Sequence, residues 1–372
     1  CCAKSNLEPF ESLVQFCTHS KATPKHTRRR DARAMSAYAV DAVVVQREDG
    51  TRQATAFHVR FEPTTRAQLR RASTSISQRA TRALRWARGG EDDGGFSEDE
   101  EEENDVRVEL DGEGMIDCEC VSDGDDGWCR FAGGDRPSAE ELASWPLQPG
   151  RNDLTYTSGS RKCRGRCYLW QEGDRVLACD VDGTVTKSDV RGFLDSTLSI
   201  KPTHAHDGVC AFMAQVVAPP RARMLYLTNR PAGWAGKTRA FLAKLEQRGA
   251  RLPDGPVLCQ PADVMAAFAG EVTHAPNPFK TKALLDVSRA GLRLACGFGN
   301  NARDADAYAR AGVPDLAIFV INEASSITLP RAHKSAGRFD GYGDAALVER
   351  VRGLLSDVVD RLMEATGDAV VI

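Results

Sequence analysis

The chain has no uninterrupted apolar run of the roughly 18 residues that a membrane-spanning helix requires. Any contact with a bilayer is therefore expected to be peripheral. It also lacks a dominant charge: 49 Lys plus Arg stand against 52 Asp plus Glu in 372 residues, a formal −3, which excludes a polycation built to coat nucleic acid. No nucleic-acid partner is expected. Lys21 to Arg30 (KATPKHTRRR) is a basic loop and not the apolar core of a signal peptide. Twelve cysteines are present, but Cys118, Cys120, Cys129, Cys163 and Cys167 have neither a second C-x-x-C nor a His pair at zinc-finger spacing. Free thiols are expected in place of a disulfide framework or a zinc site.

What is there suggests about two domains. Residues 37–61 read as a hairpin, with β-branched Ala39 to Gln46, a turn at Glu48-Asp49-Gly50 and alternation from Thr55 to Phe61. Residues 106–131 add short strands separated by Asp-Gly turns, so 37–131 is expected to be a small β-rich, sandwich-like region. It is interrupted at about 66–105 by two charge blocks: Arg66, Arg70, Arg71, Arg79, Arg82, Arg85 and Arg88, then an acidic run from Glu91. Like charges resist packing, so this stretch is expected to be a disordered insertion.

From about Arg175 the rhythm becomes strand, helix, strand. Arg175 to Cys179, Met224 to Leu227, Val257-Leu258, Leu292 to Phe298 and Ala317 to Ile321 are the expected strands; Val209 to Val217, Lys237 to Arg248 and Lys280 to Arg289 are the expected helices. The alternation predicts an α/β fold with a doubly wound parallel sheet, closed by a helix in 336–372. Active residues in such sheets lie at the C-terminal strand ends.

The strongest signal stands at one of those ends. Asp180-Val181-Asp182-Gly183-Thr184 follows an apolar strand, and two carboxylates at i and i+2 converge on one site if the chain turns at the glycine. Oxygen donors so placed suit a hard cation. Thr228 ends the next strand, Lys280 opens a helix with Lys282 as its rival, and Gly299-Asn300-Asn301-Ala302-Arg303-Asp304 follows the strand ending at Phe298.

The D-x-D-G-T sequence and its ordered partners resemble the four motifs of the haloacid-dehalogenase phosphatases. That resemblance implies Asp180 as nucleophile, Asp182 as acid and base, and Mg²⁺ held by Asp180, the backbone carbonyl of Asp182 and Asp304. It further implies phosphate contacts from Thr228, Asn229, Arg230 and Lys280, with Gly183, Thr184 and Asn300 in support. Longer stretches narrow it: DVDGTVTKSD (Asp180 to Asp189), HDGV (His206 to Val209), LYLTNRPAGWAGKTRAFL (Leu225 to Leu242), FKTKALLDV (Phe279 to Val287) and GFGNNARDADAYARAGVP (Gly297 to Pro314) resemble the catalytic domain of the lipins. AVDAVVVQREDGTRQATAFHVRF resembles their N-terminal domain, so the resemblance implies a haloacid-dehalogenase-like catalytic domain over 135–335 preceded by an N-terminal lipin-like region over 37–131.

The lipin resemblance implies hydrolysis of phosphatidate to diacylglycerol and phosphate, in a cytoplasmic protein associated peripherally with endoplasmic-reticulum or nuclear membranes. Three departures stand out: Thr228 replaces the family's usual Ser, Asn301 stands where Arg is usual, and Arg191 to Asp195 replaces the L-x-x-I-L motif of animal lipins. Only about 44 residues separate Thr184 from Thr228, and about 52 separate Thr228 from Lys280, which leaves little room for a lid domain. An anionic membrane presenting phosphatidate is the expected partner. A helix over Leu7 to His19, with Phe10, Leu13, Val14 and Cys17 on one face, and the arginines of 66–88 are candidates for meeting it. Two alternatives remain, a phosphatidate-sensing relative without turnover and a phosphatase of a soluble monoester.

Overall fold

A computed structural model describes residues 37–62, 105–116, 118–122, 127–187, 204–261, 278–332 and 337–356. The candidate helix over Leu7 to His19, nearly all of the charged insertion and the segment Arg191 to Asp195 lie outside these residues.

The earlier strands are β1 (Ala37–Ala39), β2 (Ala42–Gln46), β3 (Arg52–Ala54), β4 (Val59–Phe61), β5 (Arg107–Leu110), β6 (Gly114–Met115), β7 (Cys120–Ser122), β8 (Cys129–Phe131), β9 (Gly150–Ser158) and β10 (Arg161–Gln171). A hairpin is present, with β2 antiparallel to β3 across the Glu48-Asp49-Gly50 turn, but its returning strand is Arg52–Ala54; the expected stretch Thr55 to Phe61 instead carries β4, which pairs with β1. Its surroundings differ from a sandwich confined to 37–131. A six-stranded sheet in the order β3-β2-β10-β9-β5-β6 takes its two longest strands from residues 150–171. β2 pairs in parallel with β10, a contact of long sequence separation that no local pattern announces. The sheet thus crosses residues 131–135, between the two expected regions.

Successive residues of a strand point to opposite faces, and β2 uses this to serve two cores. Val43 and Val45 join the larger hydrophobic cluster, while Ala42 and Val44 join a smaller one. β10 divides in the same way, Tyr168 and Trp170 to the first and Cys167 and Leu169 to the second. The smaller cluster is closed by the β7–β8 hairpin and by α1 (Ala139–Ser144), which opens with a Ser138/Glu141 capping box.

The larger core surrounds a seven-stranded sheet formed by β11 (Arg175–Asp180), β12 (Ala222–Pro231), β15 (Val257–Gln260), β16 (Arg293–Gly299), β17 (Ile318–Ile321), β18 (Ile327–Thr328) and β19 (Arg338–Phe339). The order is β15-β12-β11-β16-β17-β18-β19; the first five are parallel, and β18 and β19 add an antiparallel edge. β11 is the middle one of the five parallel strands, and all six of its residues are buried, as expected of a parallel strand covered on both faces.

Its helices are α2 (Val209–Val216), α3 (Ala235–Lys244), α4 (Pro278–Arg289), α5 (Ala302–Arg310) and α6 (Ala345–Leu355). Adjacent residues of β16 show where they lie. Gly297 faces Tyr308 of α5, and Phe298 packs on Phe212 of α2 with ring centroids 5.5 Å apart, so α5 and α2 cover opposite faces. The fold is mixed α/β with a largely parallel sheet.

One helix ends earlier than its periodicity predicts. Helical spacing runs from Lys237 to Arg248, but α3 stops at Lys244, and β13 (Glu246–Gln247) turns back onto β14 (Ala250–Arg251). Arg248 and Gly249 take φ of 51° and 81°, the left-handed pair of a tight hairpin turn. The closing helix is seen from Ala345 to Leu355; residues beyond 356 lie outside the described ones.

Candidate active site

The neighbouring strands β12, β11 and β16 end at one place, and each delivers part of a polar cluster there. Asp180 is the last residue of β11 and is 3% exposed. Its Oδ1 accepts a hydrogen bond from Lys280 Nζ at 2.7 Å, and its Oδ2 accepts from the Thr184 hydroxyl at 3.3 Å. Lys280, in the first turn of α4, also donates to Asp304 Oδ1 at 2.5 Å. Its rival Lys282 is exposed, which assigns the cluster to Lys280.

Asp304 is fixed by helix-capping chemistry. Asn301 caps α5, its side-chain oxygen accepting from the backbone N–H of Asp304 at 3.0 Å. The Asp304 carboxylate therefore sits in the first turn, at the positive end of the helix, and accepts the Asn300 N–H at 3.1 Å. Gly299 makes this approach possible, because a Cβ there would lie 2.4 Å from the Asp304 Cβ.

Charge and burial act on this trio together. Burial pushes the Asp180 carboxyl upward, Lys280 opposes it, and Asp304 and Asp182 raise it further, with the balance at about 7. Burial would lower the Lys280 ammonium, but the Asp180 and Asp304 carboxylates outweigh that and hold it above its ordinary value. The ammonium is thus the counter-ion of two buried carboxylates.

A second group forms around Asp182. Gly183, at φ 83°, makes the turn that carries Asp182 off the strand, and a Cβ on it would fall 1.9 Å from Asn300 Nδ2. Asp182 Oδ2 accepts the Thr228 hydroxyl at 3.0 Å, and Arg230 donates through Nη2 to Oδ1 at 2.7 Å and through Nε to Oδ2 at 3.0 Å. This is a forked guanidinium–carboxylate pair. Thr228 and Arg230 reach it from the same side of β12, where the pairing with β15 slips between Thr228 and Pro231. Arg230 is steadied by the Thr238 hydroxyl at 3.3 Å and by the ring of Phe241, whose centroid lies 5.7 Å from the guanidinium carbon.

All ten residues singled out in the sequence belong to or border these groups, with Asn229 half-buried between Thr228 and Arg230. In this arrangement Thr228 and Arg230 contact Asp182, so each would have to share or exchange that bond to meet a phosphoryl oxygen. Among the described residues no three His, Cys, Asp or Glu side chains converge as a metal site. Asp180 and Asp304 do converge, on one cation, and they offer hard oxygen donors.

The LNS2 (Lipin/Ned1/Smp2) family model matches residues 135–345, more than half of the chain. The chain belongs to this family. It is 34% identical over 212 residues to "Nuclear elongation and deformation protein 1" of Schizosaccharomyces pombe, covering 55% of this chain and 32% of that protein. It is 32% identical over 231 residues to the mouse (Mus musculus) "Phosphatidate phosphatase LPIN2", covering 59% of this chain and 25% of that protein. With "Phosphatidic acid phosphohydrolase 1" of Saccharomyces cerevisiae it shares 31% over 209 residues, 52% of this chain and 24% of that one. The chain matches about a third or less of the length of each of these relatives.

The LNS2 residues also include supports that the sequence did not single out by role. The ring of His206 bridges the Gly183 carbonyl at 3.3 Å and the Ser325 hydroxyl at 2.8 Å. Tyr342 donates its hydroxyl to the Thr184 carbonyl at 3.0 Å. Both brace the D-x-D-G-T turn from residues 22 or more positions away, so no local spacing marks them. Ser325, which holds the far side of the His206 ring, is a non-glycine residue at φ 65°.

Proposed function

We propose that this chain is an Mg²⁺-dependent phosphatidate phosphatase acting through an aspartyl-phosphate, with a haloacid-dehalogenase-like catalytic domain. The observation that carries this reading is Asp180, buried at a strand end against Lys280 and Asp304, with Asp182 two residues further on. The substrate is inferred from the relatives described as phosphatidate phosphatases.

The donor set suits the metal. Three carboxylates, Asp180, Asp182 and Asp304, meet two buried cationic side chains, Lys280 and Arg230, and a hard divalent cation prefers oxygen ligands of this kind. Asp180, the Asp182 backbone carbonyl and Asp304 would hold Mg²⁺, which when bound would neutralise charge on the phosphoryl group.

The protein's own groups then have separate tasks. An Asp180 carboxylate oxygen attacks phosphorus, and the bond from phosphorus to the glyceride oxygen breaks. Asp182 gives its proton to the departing alkoxide. Deprotonated, Asp182 takes a proton from water, which attacks the aspartyl-phosphate and frees Asp180 and inorganic phosphate. Lys280 balances the negative charge around Asp180, Thr228 and Asn229 orient phosphoryl oxygens, and Arg230, forked onto Asp182, holds that carboxylate in place. Asp182 keeps 16% side-chain exposure while Asp180 and Lys280 are nearly sealed, so substrate would approach from the Asp182 side. A headgroup presented at a cytoplasmic membrane surface suits that approach. Phosphate release from phosphatidate in detergent micelles, with and without Mg²⁺, tests the reading; activity on a small monoester alone would redirect it to a soluble substrate.

A further inference from the structure

Asp41 lies outside the residues that match LNS2, on the loop between β1 and β2, and its side chain is completely buried. A buried carboxylate needs partners, and both of its oxygens have one. Oδ1 accepts from Arg239 Nη1 at 2.6 Å, and Oδ2 accepts the backbone N–H of Val257 at 2.9 Å. Arg239 donates in addition to the carbonyls of Ala39 at 3.2 Å and Arg164 at 2.9 Å. One arginine therefore clasps α3 to the six-stranded sheet and the loop before β2.

The two elements that Asp41 grips are those that flank Arg230. Val257 opens β15, whose Cys259 pairs with Thr228 of β12. Arg239 is on α3, and its neighbour Thr238, fully buried, accepts from Arg230 Nη1 at 3.3 Å while donating to the Trp234 carbonyl at 3.0 Å. Phe241 of the same helix lies against the Arg230 guanidinium. A continuous run of contacts leads from Asp41 through Arg239 and Thr238 to Arg230, and from there to Asp182.

We propose that Asp41 and Arg239 are positioning residues for the site: by fixing α3 they hold Thr238, and through it Arg230, so that the Asp182 carboxylate is aimed for proton transfer. The inference rests on the function proposed above for its catalytic consequence. Arg239 and Asp41 touch no reacting atom; their effect passes through Arg230. Because Asp182 protonates the leaving oxygen, misaiming it penalises an alkoxide, a poor leaving group, far more than a nitrophenolate, which departs without help. kcat/KM isolates this, since it reports steps only through phosphoryl transfer to Asp180.

The test uses the full chain with Mg²⁺ and two esters in the same micelles, phosphatidate and a nitrophenyl phosphate carrying a long alkyl chain. Thr238→Val, which keeps shape and removes the hydroxyl, is expected to lower kcat/KM on phosphatidate about tenfold and on the aryl ester less than about twofold. Thr238→Ser is expected to restore both, and Asp41→Asn to follow Thr238→Val. The Nε–H resonance of Arg230, assigned by its loss in Arg230→Lys, is expected to shift in Thr238→Val and Asp41→Asn and to keep its place in Thr238→Ser. Equal losses on both esters, or an unmoved Arg230 resonance, would overturn the proposal. Wild-type protein inert toward both esters would instead overturn the proposed function, and the resonance would then decide the positioning by itself.

Discussion

Lys280 donates a 2.7 Å hydrogen bond to Asp180 from within the first turn of a helix a hundred residues downstream, with both side chains sealed from solvent. Because the same ammonium also serves Asp304, its removal leaves two carboxylates facing each other without a counter-ion. Lys280→Met is expected to destabilise the metal-free protein by about 3–5 kcal/mol, the range for breaking a buried ion pair. Urea unfolding measures it. A loss below about 1 kcal/mol, the worth of an exposed pair, would show that the cluster is far more hydrated than its burial indicates.

The same carboxylates lead to a prediction about the cation. Mg²⁺ bound only by the folded protein raises its stability according to its concentration relative to Kd, by about 2.7 kcal/mol at a hundredfold excess. Thermal unfolding of the wild type is expected to move upward with Mg²⁺, and that of Asp304→Asn to respond much less. An equal shift in both proteins would place the cation elsewhere.

Gly183 tests the turn that separates Asp180 from Asp182. At φ 83° an alanine pays a left-handed penalty of about 1–2 kcal/mol, and its Cβ would lie 1.9 Å from Asn300 Nδ2. Asn300 must then move, and with it the N–H that it gives to Asp304. Gly183→Ala is expected to fold with reduced stability and to lose most of its activity. Gly50→Ala, at φ 86° with nothing within 4 Å, is the control that carries only the backbone strain.

His58, the residue before β4, connects the β-rich region to acid sensitivity. Burial lowers its imidazole from 6.5 to about 4, with Lys282 and Arg136 also lowering it and Asp135 and Asp286 opposing. The folded state therefore favours the neutral ring, while the unfolded chain takes up a proton as soon as the pH falls below 6.5. Its contribution is complete above pH 6.5, declines as the pH falls toward 4 and is then exhausted, a span of about 3 kcal/mol at most. His58→Gln is expected to flatten urea-unfolding stability across that window. An unchanged slope would assign the acid sensitivity to other groups.

Much of this architecture could be read in the sequence, for a physical reason. The parallel strands are short apolar runs and the helices have clear periodicity, so local pattern located β11, β12, β15, β16 and β17 and the helices α2 and α4. Asp180, Lys280 and Asp304 were legible because each stands at a strand end or helix start. Three things were not. The pairing of β2 with β10 joins residues more than a hundred positions apart and depends on which faces of both strands are apolar. The direction of Arg230 depends on Thr238 and Phe241, one helix away, and led to Asp182 instead of outward to a substrate oxygen. His206 and Tyr342 act through backbone carbonyls, and a carbonyl leaves no mark in the choice of residue.

The most direct measurement of the central claim is phosphate release from phosphatidate in detergent micelles by the full chain and by Asp180→Asn, each with and without Mg²⁺. The account predicts release by the wild type that depends on Mg²⁺, and a folded Asp180→Asn protein with less than about a hundredth of that rate. Wild-type protein that releases no phosphate, or an Asp180→Asn protein that keeps more than about a tenth of the rate, would contradict it.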